Sequence, residues 1–276
     1  MLKINEQLLK NLKKVIFLDV DGTLLTDDKT VSTYTKEIFK QLHEHGVKII
    51  LNSGRCRKSM EWLVNTYLPG CIDALICADG RHIYDLNEQK SIYIAPINPE
   101  FIYNFYREAV KKSCITYYIT EQDMYTTQLE DELQKYMDSL FDNGDFLNTN
   151  LTMTRINNVD FVKKESCVRI FCYHRDLKPL EQLKEMIERT TDYQIKIRFE
   201  KNRYALFVGI PSNKAQAMKW YCDYFNISHD NTIAFGDELN DVELLKEAKL
   251  SFAMKNANEN LKEYANQITE YTNNDD

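Results

Sequence analysis

Asp19-Val20-Asp21-Gly22-Thr23 sets two carboxylates one residue apart, directly after the apolar run Val15-Ile16-Phe17-Leu18. Gly22 permits a sharp backbone turn, and Thr23 adds a hydroxyl. Two charges where a buried strand runs out are costly unless something positive sits between them. A divalent cation meets that need, and oxygen ligands at close spacing suit magnesium. Taken alone, the same residues are an acidic turn after a strand; the rest of the chain decides between the two readings.

Four short segments, this one included, fall where core strands end, which is where open α/β sheets gather their ligands. The second is Ser53-Gly54-Arg55, where a hydroxyl and backbone N–H groups at a helix start can bind an anion. The third is Lys214, just after Pro211-Ser212-Asn213 and at the start of a helix. The fourth is Gly236-Asp237-Glu238-Leu239-Asn240-Asp241, an acidic cluster after the apolar run 232–235. Singly, Ser53-Gly54 reads as a helix cap, Lys214 as a solvated lysine, and 237–241 as a helix N-terminus exploiting its dipole. Together and in this order they make a site. Asp19 and Asp237 can share one hard cation, while a hydroxyl, backbone amides and a lysine hold the other side of a phosphate.

The elements that must position these groups alternate along the first eighty residues. A buried parallel strand is expected at 15–18, then a helix at 34–44 capped by Ser32 or Thr33 and stopped at Gly46. A strand at 47–51, a helix at 58–67 broken by Pro69-Gly70, and a strand at 74–77 follow. This rhythm argues for a right-handed, doubly wound α/β layer. After about Tyr84 the chain turns rich in aromatic and β-branched residues. Helices are expected there at 99–112 and 178–190, and strands at 115–119, 167–174, 193–199 and 203–209. That is an α+β module, an antiparallel sheet carrying helices on one face. The α/β rhythm returns with a helix at 213–225, a strand at 232–235, a helix at 241–246, a strand at 251–254 and a helix at 258–265. The simplest organisation is one discontinuous core, 1–83 and 209–276, interrupted by an inserted domain, 84–208.

Composition bounds the partners. At 43% hydrophobic and 28% charged, the 276 residues have the make-up of a soluble globular protein. A net charge of −7 argues against nucleic acid, so a phosphorylated substrate must be drawn in by a local positive site. No stretch approaches the roughly 18 apolar residues of a membrane span, and the charged, leucine-containing N-terminus lacks a signal-peptide core. Seven scattered cysteines, an odd number with no Cys-x-x-Cys pair, read as reduced thiols of a cytoplasmic protein. Cys167 and Cys172 have no further ligands to complete a zinc set.

In order, the four segments resemble the four motifs of the haloacid dehalogenase superfamily of phosphohydrolases. The inserted module resembles the type-two α+β cap of its Cof-type sugar-phosphatase branch. The resemblance spans nearly the whole chain; Asp-x-Asp-Gly-Thr paired with Gly-Asp-x-x-Asn-Asp is specific, and Ala253-Met254-Lys255-Asn256-Ala257 is similar to that branch as well. It implies a Rossmann-like, doubly wound, mostly parallel core with an inserted α+β cap. It also implies a Mg2+-dependent phosphatase of small phosphorylated metabolites, sugar phosphates first among them. On this resemblance Asp19 is the nucleophile that forms an aspartyl-phosphate, and Asp21 protonates the leaving oxygen and then deprotonates water. Asp19, the Asp21 backbone carbonyl and Asp237 hold Mg2+, with Thr23 and Asp241 in support. Val20 N–H, Ser53, Gly54 N–H, Lys214 and Asn240 neutralise the phosphoryl oxygens.

Two departures stand out. Asp79-Gly80, then Arg81-His82, replaces the branch's usual Asn-Gly; Asp79 either reaches the substrate or caps a turn. The branch's Asp-Gly and final helix beyond Thr272-Asn273-Asn274 are not found before Asp276, so a shortened last element is expected. The cap, closing over the site, is expected to choose the substrate. Arg55 and Arg81 are candidates to touch it from core loops, and Arg169, Arg198 and Arg203 from the cap, although each arginine singly reads as exposed. His43, His45, His174 and His229 are assigned no catalysis. A monomer or weak homodimer meets every demand. Two rivals share the scaffold: a phosphotransferase or phosphomutase, and a non-catalytic regulator that senses a phosphorylated metabolite.

Overall fold

Val15–Leu18 forms strand β1, and its unbroken apolar run is suited to the place it takes, between two parallel neighbours. These are β2 (Lys48–Asn52) and β12 (Thr232–Gly236), with Leu18 level with Leu51 on one side and Phe235 on the other. The computed structural model describes residues 14–128, 153–200 and 203–275; residues 1–13, nearly all of the charged N-terminal stretch, lie outside them. Further strands are β3 (Ala74–Cys77), β4 (His82–Asp85), β5 (Lys90–Ile94), β13 (Leu250–Ala253) and β14 (Gln267–Ile268). The eight lie in the order β14-β13-β12-β1-β2-β3-β4-β5. Pairing is parallel from β14 to β3 and antiparallel between β3 and β4.

Helices cover both faces of this sheet. Ile49, Leu51 and Leu75 on one face pack with Phe39 and Leu42 of α1 (Thr33–Glu44) and Met60, Leu63 and Val64 of α2 (Arg57–Tyr67). Ser32 caps α1, its side chain accepting the Thr35 N–H. On the other face Phe17 meets the edge of Tyr221, 5.9 Å between ring centres, from α5 (Lys214–Tyr224). A 3-10 turn at Leu239–Asp241 leads into α6 (Val242–Glu247).

Strands β4, β5 and β14 go beyond the sequence expectation. The buried polar residues His82 and Asp85 disguise β4, which is buried along its length. The β3–β4 turn takes three left-handed residues in a row, Ala78, Asp79 and Gly80, at φ 53°, 52° and 90°. The helix expected at 258–265 is a single turn, α7 (Glu259–Lys262), because the chain beyond it must return to lay Gln267 beside Phe252.

Contacts divide the chain into two units: Met1–Arg55, Met60–Ile92 and Asn213–Asp276, and Cys56–Ser59 with Tyr93–Ser212. The second unit carries a sheet ordered β10-β11-β9-β6-β7-β8, from β6 (Ile115–Thr120), β7 (Met124–Thr126), β8 (Met153–Arg155), β9 (Cys167–His174), β10 (Gln194–Glu200) and β11 (Arg203–Gly209). All its pairs are antiparallel except β7 with β8. Ile102, Phe105 and Ala109 of α3 (Pro99–Lys111) and Leu180, Leu183 and Ile187 of α4 (Leu177–Thr190) pack on Tyr118, Ile170, Cys172 and Leu206. Tyr117, Tyr173, Phe171 and Phe207 make edge-on aromatic pairs among residues that alternate with these along the strands.

Candidate active site

The parallel registers bring three loops together. Asp19 follows β1, Asp237 follows β12 and Ser53 follows β2, and the Asp19 N–H still donates to the Phe235 carbonyl at 3.1 Å. Asp19, Asp237 and Asp241 are all buried, and an oxygen from each lies within 4.8 Å of the others. Gly22 makes this approach possible: with φ 76°, a Cβ placed there would fall 2.2 Å from Asp237 Oδ2. Thr23 Oγ1 donates to Asp237 Oδ1 at 2.8 Å, fixing one orientation of that carboxylate.

Lys214, the first residue of α5, is 1% exposed. Its Nζ donates to Asp19 Oδ1 and to Asp241 Oδ1, each at 2.5 Å. Asp241 Oδ2 accepts the N–H groups of Asp237 and Glu238 at 3.1 and 3.2 Å, so Asp241 both seats the lysine and shapes the loop that carries Asp237. Burial pushes Asp19 well above the usual carboxylate range; the charges of Asp241 and Asp237 add to this, and Lys214 opposes it. Burial and the Asp241 charge push Asp237 up to about 6, against the Thr23 hydrogen bond. Burial alone would depress Lys214, yet the charges of Asp19 and Asp241 outweigh it and raise its pKa.

Asp21 lives under the opposite field. Arg55 Nε donates to Asp21 Oδ2 at 2.8 Å and Nη2 to Oδ1 at 2.6 Å, a two-pronged pair, and Lys29 Nζ reaches Oδ1 at 2.9 Å. Partial burial disfavours the ionised form, but the Arg55 hydrogen bonds and charge, and then Lys29, hold the carboxyl far below its usual range.

The structure thus brings Asp19, Thr23, Lys214, Asp237 and Asp241 into one buried cluster, with Asp21 beside it. Ser53 is buried in a loop, not at a helix start: α2 begins only at Arg57, and Ser53 Oγ accepts the Arg55 N–H at 3.2 Å. That corrects the helix-start expectation for Ser53-Gly54-Arg55. Arg55 and Arg81 are buried, not exposed; Arg55 pairs with Asp21, and Arg81 Nη1 donates to the Ala78 carbonyl at 2.9 Å. Asp79 sits in the left-handed β3–β4 turn, its N–H donating to the Ser53 carbonyl at 3.1 Å. Asn240, exposed, donates to Asp79 Oδ1 at 3.4 Å. Val20 is buried, and its carbonyl accepts the Leu24 and Leu25 N–H groups at 3.0 and 2.9 Å, closing the motif's turn. Two residues escaped the sequence reading. Asn52, fully buried at the end of β2, donates to the Lys214 carbonyl at 3.1 Å, and Lys29 pairs with Asp21. A polar residue closing an apolar strand was the available signal for Asn52; Lys29 gave none.

A doubly wound parallel sheet that gathers buried carboxylates and a lysine at its carboxyl edge defines an enzyme-type site. Residues 16–276 match the family of haloacid dehalogenase-like hydrolases, and the chain belongs to that family. It is 25% identical over 267 residues to the 5-amino-6-(5-phospho-D-ribitylamino)uracil phosphatase YcsE of Bacillus subtilis, covering 93% of this chain and 90% of that one. The crystal structure of TM0651 from Thermotoga maritima matches with a TM-score of 0.80 at 24% identity, over 95% of this chain and 93% of that one. A sugar phosphatase of haloacid dehalogenase subclass IIB, BT4131, matches with a TM-score of 0.71 at 20% identity, over 93% of each chain. These two likenesses show the fold alone. All seven cysteines are free, and among the described residues no helix is long and apolar enough to cross a membrane.

Proposed function

We propose that this chain is a cytoplasmic, Mg2+-dependent phosphatase that hydrolyses small phosphorylated metabolites through an aspartyl-phosphate. The observation that carries the reading is the buried Asp19–Lys214–Asp241 contact beside Asp237, at the carboxyl ends of the two central strands. Three buried carboxylates against one lysine leave an excess of negative charge, and an all-oxygen donor set suits a hard divalent cation. Asp19, Asp237 and the Asp21 backbone carbonyl would hold it. Bound there, magnesium would supply charge neutralisation between the nucleophile and the phosphate dianion.

The chain's own residues do the rest. Asp19 attacks phosphorus as the ester oxygen departs, and the acyl phosphate formed on its carboxylate is then opened by water. Asp21, ionised between Arg55 and Lys29 in the free protein, must first take up a proton, which it hands to the departing oxygen before taking one from that water. Lys214, Ser53 and the N–H groups of Val20 and Gly54 hold the phosphoryl oxygens, and Asn240 turns from Asp79 to join them. The unit that carries the eight-stranded sheet acts as the catalytic core, and Tyr93–Ser212 as the cap that selects the substrate. Named activities of relatives support a small-metabolite substrate: YcsE, and a pyridoxal phosphate phosphatase of Escherichia coli 23% identical over 267 residues.

The test is phosphate release across a panel of phosphorylated metabolites with Mg2+ and with chelator. Turnover that disappears in chelator and in Asp19→Asn, with the variant still folded, is expected. Full turnover in chelator would remove the metal, and phosphate passed quantitatively to a second sugar hydroxyl would make the chain a phosphotransferase. A folded wild type inert on the whole panel would favour a regulator.

A further inference from the structure

Lys29 reaches Asp21 from a turn with a left-handed backbone, φ 59°. A lysine gains nothing sterically from that conformation, so its surroundings must impose it. Within the turn, the Lys29 N–H donates to the Thr26 carbonyl at 2.9 Å and the Thr26 N–H to the Thr30 carbonyl at 3.0 Å. The Thr26 hydroxyl also bonds to Thr30, and further restraints come from residues 256, 273 and 274. Asp27 N–H donates to Asn274 Oδ1 at 2.8 Å, and the Asp27 carboxylate accepts Asn274 Nδ2 at 2.9 Å and Asn273 Nδ2 at 3.0 Å. Asn273 Nδ2 spends its second hydrogen on the Leu25 carbonyl at 2.9 Å. The Asn273 N–H donates to Asn256 Oδ1 at 3.0 Å, and Asn256 Nδ2 donates to the carbonyl of Gly22 at 2.8 Å.

Three asparagines therefore grip the chain at Gly22, Leu25 and Asp27, the stretch that joins Asp21 to Lys29. Asn256 and Asn274 use both ends of their amides, and Asn273, the buried member, uses both amide hydrogens and its N–H. Their bonds at Gly22, Leu25 and Asp27 run along the stretch between Asp21 and the lysine that pairs with it. We propose that Asn256, Asn273 and Asn274 are positioning residues for Asp21: they fix residues 22–30 so that Lys29, with Arg55, holds the Asp21 carboxylate in one orientation. The proposal rests on the reading of Asp21 as the proton carrier. It ties acid–base chemistry to residues 256 and 273–274, while Lys214 and Ser53, which would hold the phosphate, stand at the start of α5 and on the loop after β2.

A double-mutant cycle on the full chain tests it, with Asn273→Ala, Lys29→Met and both together. The probes are phenyl phosphate, whose leaving group needs a proton, and 4-nitrophenyl phosphate, whose leaving group does not. Each single variant is expected to lower kcat/KM about tenfold on phenyl phosphate and by no more than about twofold on 4-nitrophenyl phosphate. The double variant is expected to lose no more than Lys29→Met alone. Losses that multiply, or that are equal on both esters, overturn the proposal. Asn274→Ala, at an exposed position, takes the place of Asn273→Ala in the cycle should that variant fail to fold. Hydrogen exchange of amides 26–30 gives a readout free of activity: it should quicken about tenfold or more in the asparagine variant, and unchanged exchange overturns the proposal. A wild type inert on both esters, or an Asp21→Asn variant with full activity, overturns the catalytic reading of Asp21 instead.

Discussion

Asp19 and Asp21 stand two residues apart on one loop, yet the structure gives them opposite surroundings. The Asp19 side chain is 8% exposed, shares its space with Asp237 and Asp241, and among the described residues pairs with one cation, Lys214, which it divides with Asp241. Asp21 has a side chain 42% exposed and pairs with two cations, one of them a buried arginine. The first region is short of positive charge and the second is supplied with it. On the proposed mechanism, the carboxylate that attacks a phosphate dianion gains from a metal beside it, whereas the one that moves protons needs a fixed aim more than extra charge. Residue type alone does not separate these tasks; the neighbours do.

Removing Lys214 should break the contrast most severely. Lys214→Met leaves Asp19 and Asp241 buried and unpaired, a loss of about 3–5 kcal/mol without metal, and should lower kcat by about a hundredfold or more. Denaturant unfolding in chelator and steady-state rates measure the two effects; a variant as stable as wild type would mean the carboxylates are already protonated. Arg55→Met comes next, with kcat down about a hundredfold and KM within about twofold. A raised KM at constant kcat would return Arg55 to substrate binding.

The pH dependence sharpens the contrast more gently, and the signs differ between the regions. Asp237 has a folded pKa of about 6, above its unfolded value of 3.8, so its contribution to metal-free stability is full below 3.8 and lost as pH rises through about 6. Protons compete with the cation for that carboxylate, and Mg2+ affinity should climb between about pH 5 and 7 and then level off. Asp21, its pKa depressed, contributes stability above 3.8 that fades only as pH falls well below it. Calorimetric titration with Mg2+ and unfolding in chelator across this range provide the check; a flat Mg2+ affinity would contradict the burial of Asp237. The smallest effect belongs to Asp79→Asn, which keeps an oxygen for Asn240 and should change kcat by less than about twofold. A larger loss would draw Asp79 into the Asp19 region.

The core's order of strands and helices, and the loops that supply the buried cluster, were legible because each motif is local and follows an apolar run. What long-range contact decides was not. Lys29 is an ordinary turn lysine until a left-handed turn aims it at Asp21, and Arg55 reads as exposed until its carboxylate partner is known. Ser53-Gly54 reads as a helix start because the Lys58–Tyr67 pattern follows closely, yet the chain spends three residues on hydrogen bonds around Ser53 and Arg55 before α2 begins. Strand β4 hid behind His82 and Asp85, whose polarity is met inside the fold by Ser91 and by the amides of Asn87 and Glu88.

The central place of β1 sets a timetable for synthesis. Thr23 and its partner Asp237 are 214 residues apart, and β1 waits for β12 to fill one of its two sides. A nascent chain that has already made Asp19 and Asp21 carries an open strand edge beside them until β12 has left the ribosome. Asp19 is thus made long before its partners across β12, so products truncated ahead of that strand should be insoluble and inert, not partly active.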